Sequence, residues 1–238
     1  MTKKEKIYEG KAKILYTTHD PATLIQYFKD DATAFNAKKK GTITNKGVLN
    51  NQMSSFIFQF LEKNGVKTHF KEKLSDREMA VRALKIFPVE VVIRNRVAGS
   101  LAKRLGLEEG RKLQQPILEF FYKSDPLDDP MMSETAPVAL GWMTQKEVDH
   151  VKEQVWKINQ LMTKFFDDRG IDLIDYKLEF GKDAQSNIFL ADEISPDGCR
   201  LWEKGTGEKL DKDRFRRDLG KIEEAYEKVC KLICEGRP

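Results

Sequence analysis

The sequence predicts a fold that mixes strands and helices, built either as one large domain or as two small lobes. Three observations carry this expectation. Before residue 86 the chain offers several short strand-like runs around one helical stretch. Ile86-Phe87-Pro88 is then the best lobe boundary, dividing the chain into 1–87 and 88–238, because proline drives the residue before it toward extended backbone. Beyond it come a β-branched run, a long amphipathic helix over 147–168 and a charged hairpin over 173–194. At 238 residues the chain can bury a real core in either arrangement.

In chain order, Ile7-Tyr8-Glu9-Gly10-Lys11-Ala12-Lys13-Ile14-Leu15-Tyr16 reads as a strand, a tight glycine turn and a second strand with Lys11 and Lys13 on one face. Either Gly10 lets the backbone approach a polyphosphate that the two lysines neutralise, or this is an ordinary hairpin. It matches neither the Walker A pattern nor the Gly-x-Gly-x-x-Gly fingerprint. Leu24–Phe28 reads as a strand, Asp30-Asp31 as a turn, and Lys38-Lys39-Lys40-Gly41 as a basic loop fitting a solvated face. Val48–Leu61 is helical, with Met53, Phe56, Ile57, Phe60 and Leu61 as its apolar stripe and Gly65 as its stop. Glu78–Leu84 alternates weakly, as a further strand would.

After the boundary, Val89–Arg96 is a strand and Leu101–Leu105 a short helix, with Ser100 near its N-cap and Gly106 behind. Arg94 and Arg96 beside a helix start make either an anion site or two surface arginines next to a capped helix. Phe121–Pro130 is too rich in Pro and Asp for regular structure, and is long enough for a lid or substrate gate. In the helix Glu147–Asp168, Val148, Val151, Val155, Ile158, Met162 and Phe165 share a side, Gly170 ends it, and Trp156 and Met162 read as core. Asp211 opens a last helix with Phe215, Leu219, Ile222, Tyr226, Val229 and Ile233 inward. Its Arg214, Arg216 and Arg217 oppose the helix dipole, so a carboxylate or an anionic ligand should sit beside them.

The chemistry concentrates in Leu173–Trp202. With a period of two, Asp175, Lys177 and Glu179 share one strand face, and Ile174, Tyr176, Leu178 and Phe180 the other. Such a face must be solvated, paired or used to hold a ligand. Gly181 and Lys182–Asn187 read as a turn and Ile188–Ile194 as the returning strand. If the loop is Ala184–Asn187, Glu179 faces Asp192, and two opposed carboxylates suggest a divalent cation such as Mg²⁺ shared with substrate phosphates. The alternative is a solvated face with a Lys177 ion pair.

Composition bounds the partners. Apolar residues make up 40% and charged residues 34%, as in a soluble globular protein, and the formal net charge of +4 argues against a dedicated nucleic-acid binder. Cys199, Cys230 and Cys234 form neither a disulfide framework nor a zinc pattern. Neither a signal peptide nor a run of ~20 apolar residues is present, so the expected compartment is the cytoplasm, with no membrane partner.

Three segments together resemble the phosphoribosylaminoimidazole-succinocarboxamide synthase (SAICAR synthetase) family of purine biosynthesis. They are Tyr8-Glu9-Gly10-Lys11-Ala12-Lys13, the run Ile86–Arg94 ending in Ala98-Gly99-Ser100, and Leu173–Gly181. Ser195-Pro196-Asp197-Gly198 with Arg200 and Trp202, and Asp211-Lys212-Asp213-Arg214-Phe215-Arg216, fit the same pattern, and the likeness covers essentially the whole chain.

The resemblance implies an α+β fold of two lobes, a small N-terminal β-rich lobe and a larger C-terminal α+β lobe, with ATP in the cleft between. It implies a carbon–nitrogen ligase that joins L-aspartate to the carboxylate of carboxyaminoimidazole ribonucleotide, yielding SAICAR, ADP and phosphate. Gly10, Lys11, Ala12 and Lys13 would bind ATP; Glu179 and Asp192 would hold Mg²⁺; Lys177 would neutralise the migrating charge. Arg94, Gly99, Ser100, Asp175, Arg200 and Arg216 would bind the ribonucleotide. Lys123 would serve ATP or, with the Asp125–Asp129 loop, aspartate. The family also suggests a homodimer. Two other classes remain: a small-molecule kinase that stops after phosphoryl transfer, and a nucleotide- or RNA-binding module, which the absence of aromatic stacking motifs disfavours.

Overall fold

A computed structural model describes residues 1–34 and 39–236. Strands β1 (Lys6–Glu9), β2 (Lys13–Thr17), β3 (Thr23–Phe28), β4 (Asp31–Ala34) and β5 (Lys39–Thr42) precede helix α1 (Lys46–Lys63), and β6 (Phe70–Lys73) and β7 (Glu78–Arg82) follow. Next come β8 (Lys85–Arg96), α2 (Gly99–Leu105), β9 (Lys112–Tyr122), β10 (Met131–Met132), α3 (Ala136–Ala139) and α4 (Gln145–Asp167). The chain closes with β11 (Ile171–Lys182), β12 (Ile188–Ala191), β13 (Cys199–Glu203), α5 (Asp213–Arg216) and α6 (Ile222–Glu235).

Among the described residues, two large antiparallel sheets and the two-stranded ribbon β4-β5 result. The first has the order β1-β2-β3-β7-β6; the second has the order β10-β9-β8-β11-β12, with β13 also on β11. β12 pairs with the C-terminal part of β11 and β13 with its N-terminal part, so the two share one edge of that strand. The sheets are stitched where the segment before β6 runs beside β12: Leu190 N–H donates to Lys67 O at 3.0 Å and His69 N–H to Leu190 O at 2.7 Å.

The apolar periodicities explain the packing. One continuous core joins Met53, Ile57 and Phe58 of α1 to Val91 and Ile93 of β8, Val155 and Met162 of α4, and Tyr176 and Leu178 of β11. Thr144 and Glu147 form a capping box, with Glu147 accepting from Thr144 N–H at 2.7 Å, which starts α4 at Gln145. Among the described residues no helix is long and apolar enough to cross a membrane.

Several expectations are corrected. Pro88 lies inside β8, not before it. The β8–β11 register shifts between Glu90 and Ile86, and this irregularity spares the proline a ladder hydrogen bond it cannot donate. The chain passes from the first sheet to the second between Arg82 and Lys85. Lys11 precedes β2, because Gly10 N–H donates to Lys13 O and closes the turn there. Asp31 and Lys39–Gly41 belong to the β4–β5 ribbon; Lys38 lies outside the described residues. β9 was not anticipated, and Phe121 and Tyr122 belong to it, paired with Glu90 and Val89; Asp125–Leu127 form a 3₁₀ turn. Ala98 is the N-cap of α2, since the Ser100 hydroxyl accepts from Arg94 Nη2 at 2.9 Å. Trp156 is 38% exposed; it follows Val155 by 100° around α4 and leaves the apolar stripe. The last helix is two: Asp218, Gly220 and Lys221 all take positive φ between α5 and α6, and Leu219 there is exposed.

Gly47, in the first turn of α1, marks one close approach. Its N–H donates to Asp30 Oδ1 at 2.9 Å, and Asp30 also receives Arg77 at 2.7 Å. A Cβ there would lie 2.7 Å from Arg77 Nη1 and 2.9 Å from the Phe28 carbonyl carbon. Gly47→Ala is therefore expected to cost about 1–3 kcal/mol despite alanine's better helix propensity, read as a lower urea midpoint.

Candidate active site

The alternation along β11 has a direct structural counterpart. Tyr176 points to α4, where its hydroxyl donates to Asn159 Oδ1 at 3.2 Å. Asp175, Lys177 and Glu179 line a cavity of about 690 Å³ walled by residues of both sheets. Gly10, Lys11, Ala12 and Lys13 line the same cavity, as do Lys123, Asp192, Arg94, Arg200 and Arg216. Gly99 and Ser100 do not; they stand behind its arginines.

The register differs from expectation. Glu179 pairs with Ala191 on β12, and the turn spans Asp183–Asn187, because Gly181 and Lys182 continue the strand. β12 stops at Ala191, so Asp192 follows the strand, with φ 66°, and is not part of a strand running to Ile194. The carboxylate directly opposite Glu179 is Glu90, on the other neighbour, β8.

Lys177 resolves this crowding. Its ammonium meets Glu90 Oε1 at 3.0 Å, Asp192 Oδ2 at 3.2 Å and Glu179. Lys123 adds a contact to Glu179 Oε1 at 2.7 Å, and Lys13 pairs with Asp192 and with Glu193 Oε1 at 3.1 Å. Burial alone would raise the carboxyls and lower the ammonium groups; the pairing reverses both. Lys13 and Lys177 drive Asp192 well below its usual range against its burial. Lys177 and Lys123 likewise hold Glu179 down against burial and the charge of Asp192. Lys177 is held well above its usual value by Asp192, Glu179 and Glu90, although burial opposes them. Glu90 moves the other way: burial and Glu179 raise it despite Lys177. Lys11 lies farther out, on Asp125 Oδ1 at 2.7 Å.

The other end is a web of arginines and carboxylates. Arg94, 3% exposed, donates to Glu119 at 2.7 Å, Asp175 at 2.8 Å and Ser100 at 2.9 Å. Arg200 donates to Asp175 at 2.9 Å and to Asp213 at 2.9 Å, and Arg216 reaches Asp213 at 2.6 Å. Asp213 is held down to about 2 by Arg200 and Arg216 against its burial. A side chain at Gly99 would collide with the Arg200 guanidinium. Carboxylates thus compensate the first-turn arginines, with Arg217 on Glu109 and Arg214 on Glu208 at 3.2 Å.

The SAICAR synthetase family model matches residues 6–233. The chain belongs to the SAICAR synthetase family. A phosphoribosylaminoimidazole-succinocarboxamide synthase of Magnetococcus marinus is 59% identical over 235 residues, 98% of this chain and 97% of that protein. The crystal structure of the Ehrlichia chaffeensis enzyme of that name superposes with a TM-score of 0.95 at 48% identity, covering 98% of this chain and all of that one. A SAICAR synthetase solved in complex with ADP superposes with a TM-score of 0.93 at 46% identity, covering 97% of this chain and 98% of that one.

For a chain of the SAICAR synthetase family, the donor set can be tested for Mg²⁺. Among the described residues no three His, Cys, Asp or Glu side chains are arranged to hold an ion alone. Yet one ammonium, that of Lys177, touches three carboxylates, which marks a point where a cation is favoured. Two carboxylate ligands completed by phosphate oxygens suit Mg²⁺, which rarely uses an all-protein cage.

Several cavity residues went unnoticed in the sequence. Glu90 was legible, since it shares the β8 face of Arg94 at two-residue spacing. Gln26, His69, Glu193 and Lys212 reach the cavity only through tertiary packing. His69 is buried, and burial holds its imidazole at about 4, hence neutral. Beneath the cavity, fully buried Lys46 meets Asp197 Oδ2 at 2.7 Å, and Tyr226 donates to Asp197 Oδ1 at 2.7 Å. Asp197→Ala would strand the Lys46 charge, and is expected to cost about 3–5 kcal/mol in urea unfolding at neutral pH. Against burial, Lys212 and Lys46 hold the Asp197 carboxyl far below its usual range. Its contribution is therefore present above the unfolded value of about 3.9 and is lost as pH falls further, so wild type and variant should converge in acid.

Proposed function

We propose that the chain is the ATP-dependent ligase of de novo purine biosynthesis that joins L-aspartate to the carboxylate of carboxyaminoimidazole ribonucleotide. The observation that carries this reading is one cavity with two unlike ends. A lysine–carboxylate cluster suited to polyphosphate and metal lies beside the Gly10 turn, and an arginine web suited to a phosphate monoester lies at the other end, with Asp175 among its arginines. A simple kinase needs only the first end.

The chemistry follows from the weakness of a carboxylate as an acyl donor, whose leaving group would be oxide. A ribonucleotide carboxylate oxygen attacks the γ-phosphorus of ATP, and ADP departs. The aspartate amine then attacks the acyl carbon, loses a proton, and phosphate leaves. Phosphoryl transfer asks the protein chiefly for positioning and charge stabilisation. In this reading Lys11, Lys13 and Lys123 hold phosphates, Lys177 meets the migrating group, and Arg94, Arg200 and Arg216 hold the ribonucleotide, with Ser100 bracing Arg94 from behind. Mg²⁺ on Glu179 and Asp192 would neutralise charge developing on the phosphate oxygens.

A protein-bound acyl intermediate is disfavoured. Cys199, the cysteine nearest the site in sequence, is 3% exposed in β13, and burial raises its thiol well above the usual value. A thiol kept protonated is a poor nucleophile.

Two outcomes follow. Glu179→Gln should fold normally and lose ~10²–10³ in turnover, as when one charge-stabilising contact is removed; wild-type turnover at low Mg²⁺ would take Glu179 out of the metal site. With ¹⁸O in the ribonucleotide carboxylate, one labelled oxygen should appear in the phosphate released per amide formed. Unlabelled phosphate would rule out the acyl phosphate, and ADP release with no dependence on aspartate would favour the kinase.

A further inference from the structure

The Asp192 carboxylate meets the lysine cluster from a main chain in the left-handed region. Asp192 follows the last residue of β12 with a φ of 66°, a region that aspartate enters more readily than most residues and that contacts to its main chain can fix. Two side chains outside the charged cluster reach that main chain. Gln26 of β3, 3% exposed, donates from Nε2 to Asp192 O at 3.3 Å. The ring of His69, 4% exposed, lies beside the same main chain.

His69 is itself rigidly seated where the two sheets join. Its N–H donates to Leu190 O at 2.7 Å, and its carbonyl accepts from Arg82 N–H at 2.7 Å. The ring stands edge-on to Phe58, with centroids 5.2 Å apart. Both His69 and Gln26 line the cavity, and His69 Nε2 has no hydrogen-bond partner among the described residues. For stability alone an apolar ring would fill this place better, because a buried polar atom without a partner is costly.

We infer that His69 and Gln26 are positioning residues for Asp192. Acting from the first sheet, they clamp its main chain and thereby fix the direction from which its carboxylate meets Lys13, Lys177 and the metal ion. The inference rests on the proposed function, in which Asp192 is a metal ligand.

The test is Mn²⁺ titrated calorimetrically into the whole protein with saturating ADP, alongside the Mg²⁺ dependence of the rate. His69→Phe keeps the ring volume and removes the donor. It should weaken Mn²⁺ binding ~10-fold or more and raise the Mg²⁺ needed for half-maximal rate to match, as loss of a ligand-orienting partner does. The ribonucleotide KM should stay within ~2-fold, because uniform binding there is untouched. His69→Gln restores a donor and should recover most of the loss. Gln26→Met should weaken Mn²⁺ at least ~3-fold, and the double variant more than either alone, since both act on one group. Wild-type Mn²⁺ affinity in His69→Phe, or equal losses in the Phe and Gln variants, would overturn the inference. If His69→Phe does not fold, Gln26→Met decides: weaker Mn²⁺ supports the clamp and unchanged Mn²⁺ overturns it. Asp192→Asn separates the two levels. Unchanged Mn²⁺ binding there would defeat the metal reading itself, whereas a loss there without one in the clamp variants would defeat the clamp alone.

Discussion

Asp175, Lys177 and Glu179 project from one face of β11 while its other face is packed on α4, so that Asp175 and Glu179 are buried and Lys177 is only partly exposed. A buried charge must be paired where it stands. The neighbours of β11 meet this demand by register. β8 sets Arg94 opposite Asp175, and β13 sets Arg200 opposite Asp175; Glu90, which β8 sets opposite Glu179, shares the Lys177 ammonium with it. β12 ends in time for Asp192 to reach Lys177 at 3.2 Å. A one-residue slip of any of these strands would send its charged side chain to the apolar face. The antiparallel register and the charge network therefore specify each other.

The first sheet completes the network from outside. Lys13 opens β2 and crosses to Asp192 and Glu193, and Lys11 crosses to Asp125. These are contacts between segments more than a hundred residues apart, and each needs the two sheets held in fixed relation. The pairing of Lys67 and His69 with Leu190 supplies that, backed by the core that runs from α1 to β11. The cleft is thus set by main-chain hydrogen bonds at its base, and long flexible lysines bridge its mouth.

Much of this was written in local pattern. The split faces of β11, the stripes of α1 and α4, and the pairing of Gly10 with two lysines are periodicities of two or 3.6, readable without tertiary information. The register of Asp192 was not readable, because a loop such as Asp183–Asn187 has no distinctive turn signature, and moving the turn by a residue changes what faces Glu179. The carboxylate that does stand opposite Glu179 is Glu90, on the other side of the strand. Pro88 misled because a bulge can absorb a proline within a strand. The last helix misled because its apolar spacing runs on through Leu219 while Gly220 and two positive-φ neighbours break the backbone. Gln26, His69 and Lys46 were invisible, since each matters through a partner distant in sequence.

The pairing also bears on how ligands enter. Every lysine that the proposed function assigns to phosphate is already paired with a carboxylate, at 2.7 Å for Lys123 and Lys11. A phosphate chain arriving alone would draw these ammonium groups away and leave Glu179 and Asp192 as unpaired, largely buried anions, at a cost comparable to what it gained. A divalent cation arriving alone would crowd Lys177 and Lys13 with no anion to receive them. In the proposed reaction both would arrive together and the partners would exchange: the carboxylates would hold the cation and the lysines the phosphates, so that every charge would stay paired. The arginine end differs. There Asp175 and Asp213 fix the guanidinium groups, so Arg200 and Arg216 are already oriented and a phosphate bound there would require little reorganisation. One end of the cavity would thus suit exchange and the other preorganisation, as the proposed reaction needs when ATP gives up a phosphate while the ribonucleotide is held through two successive steps.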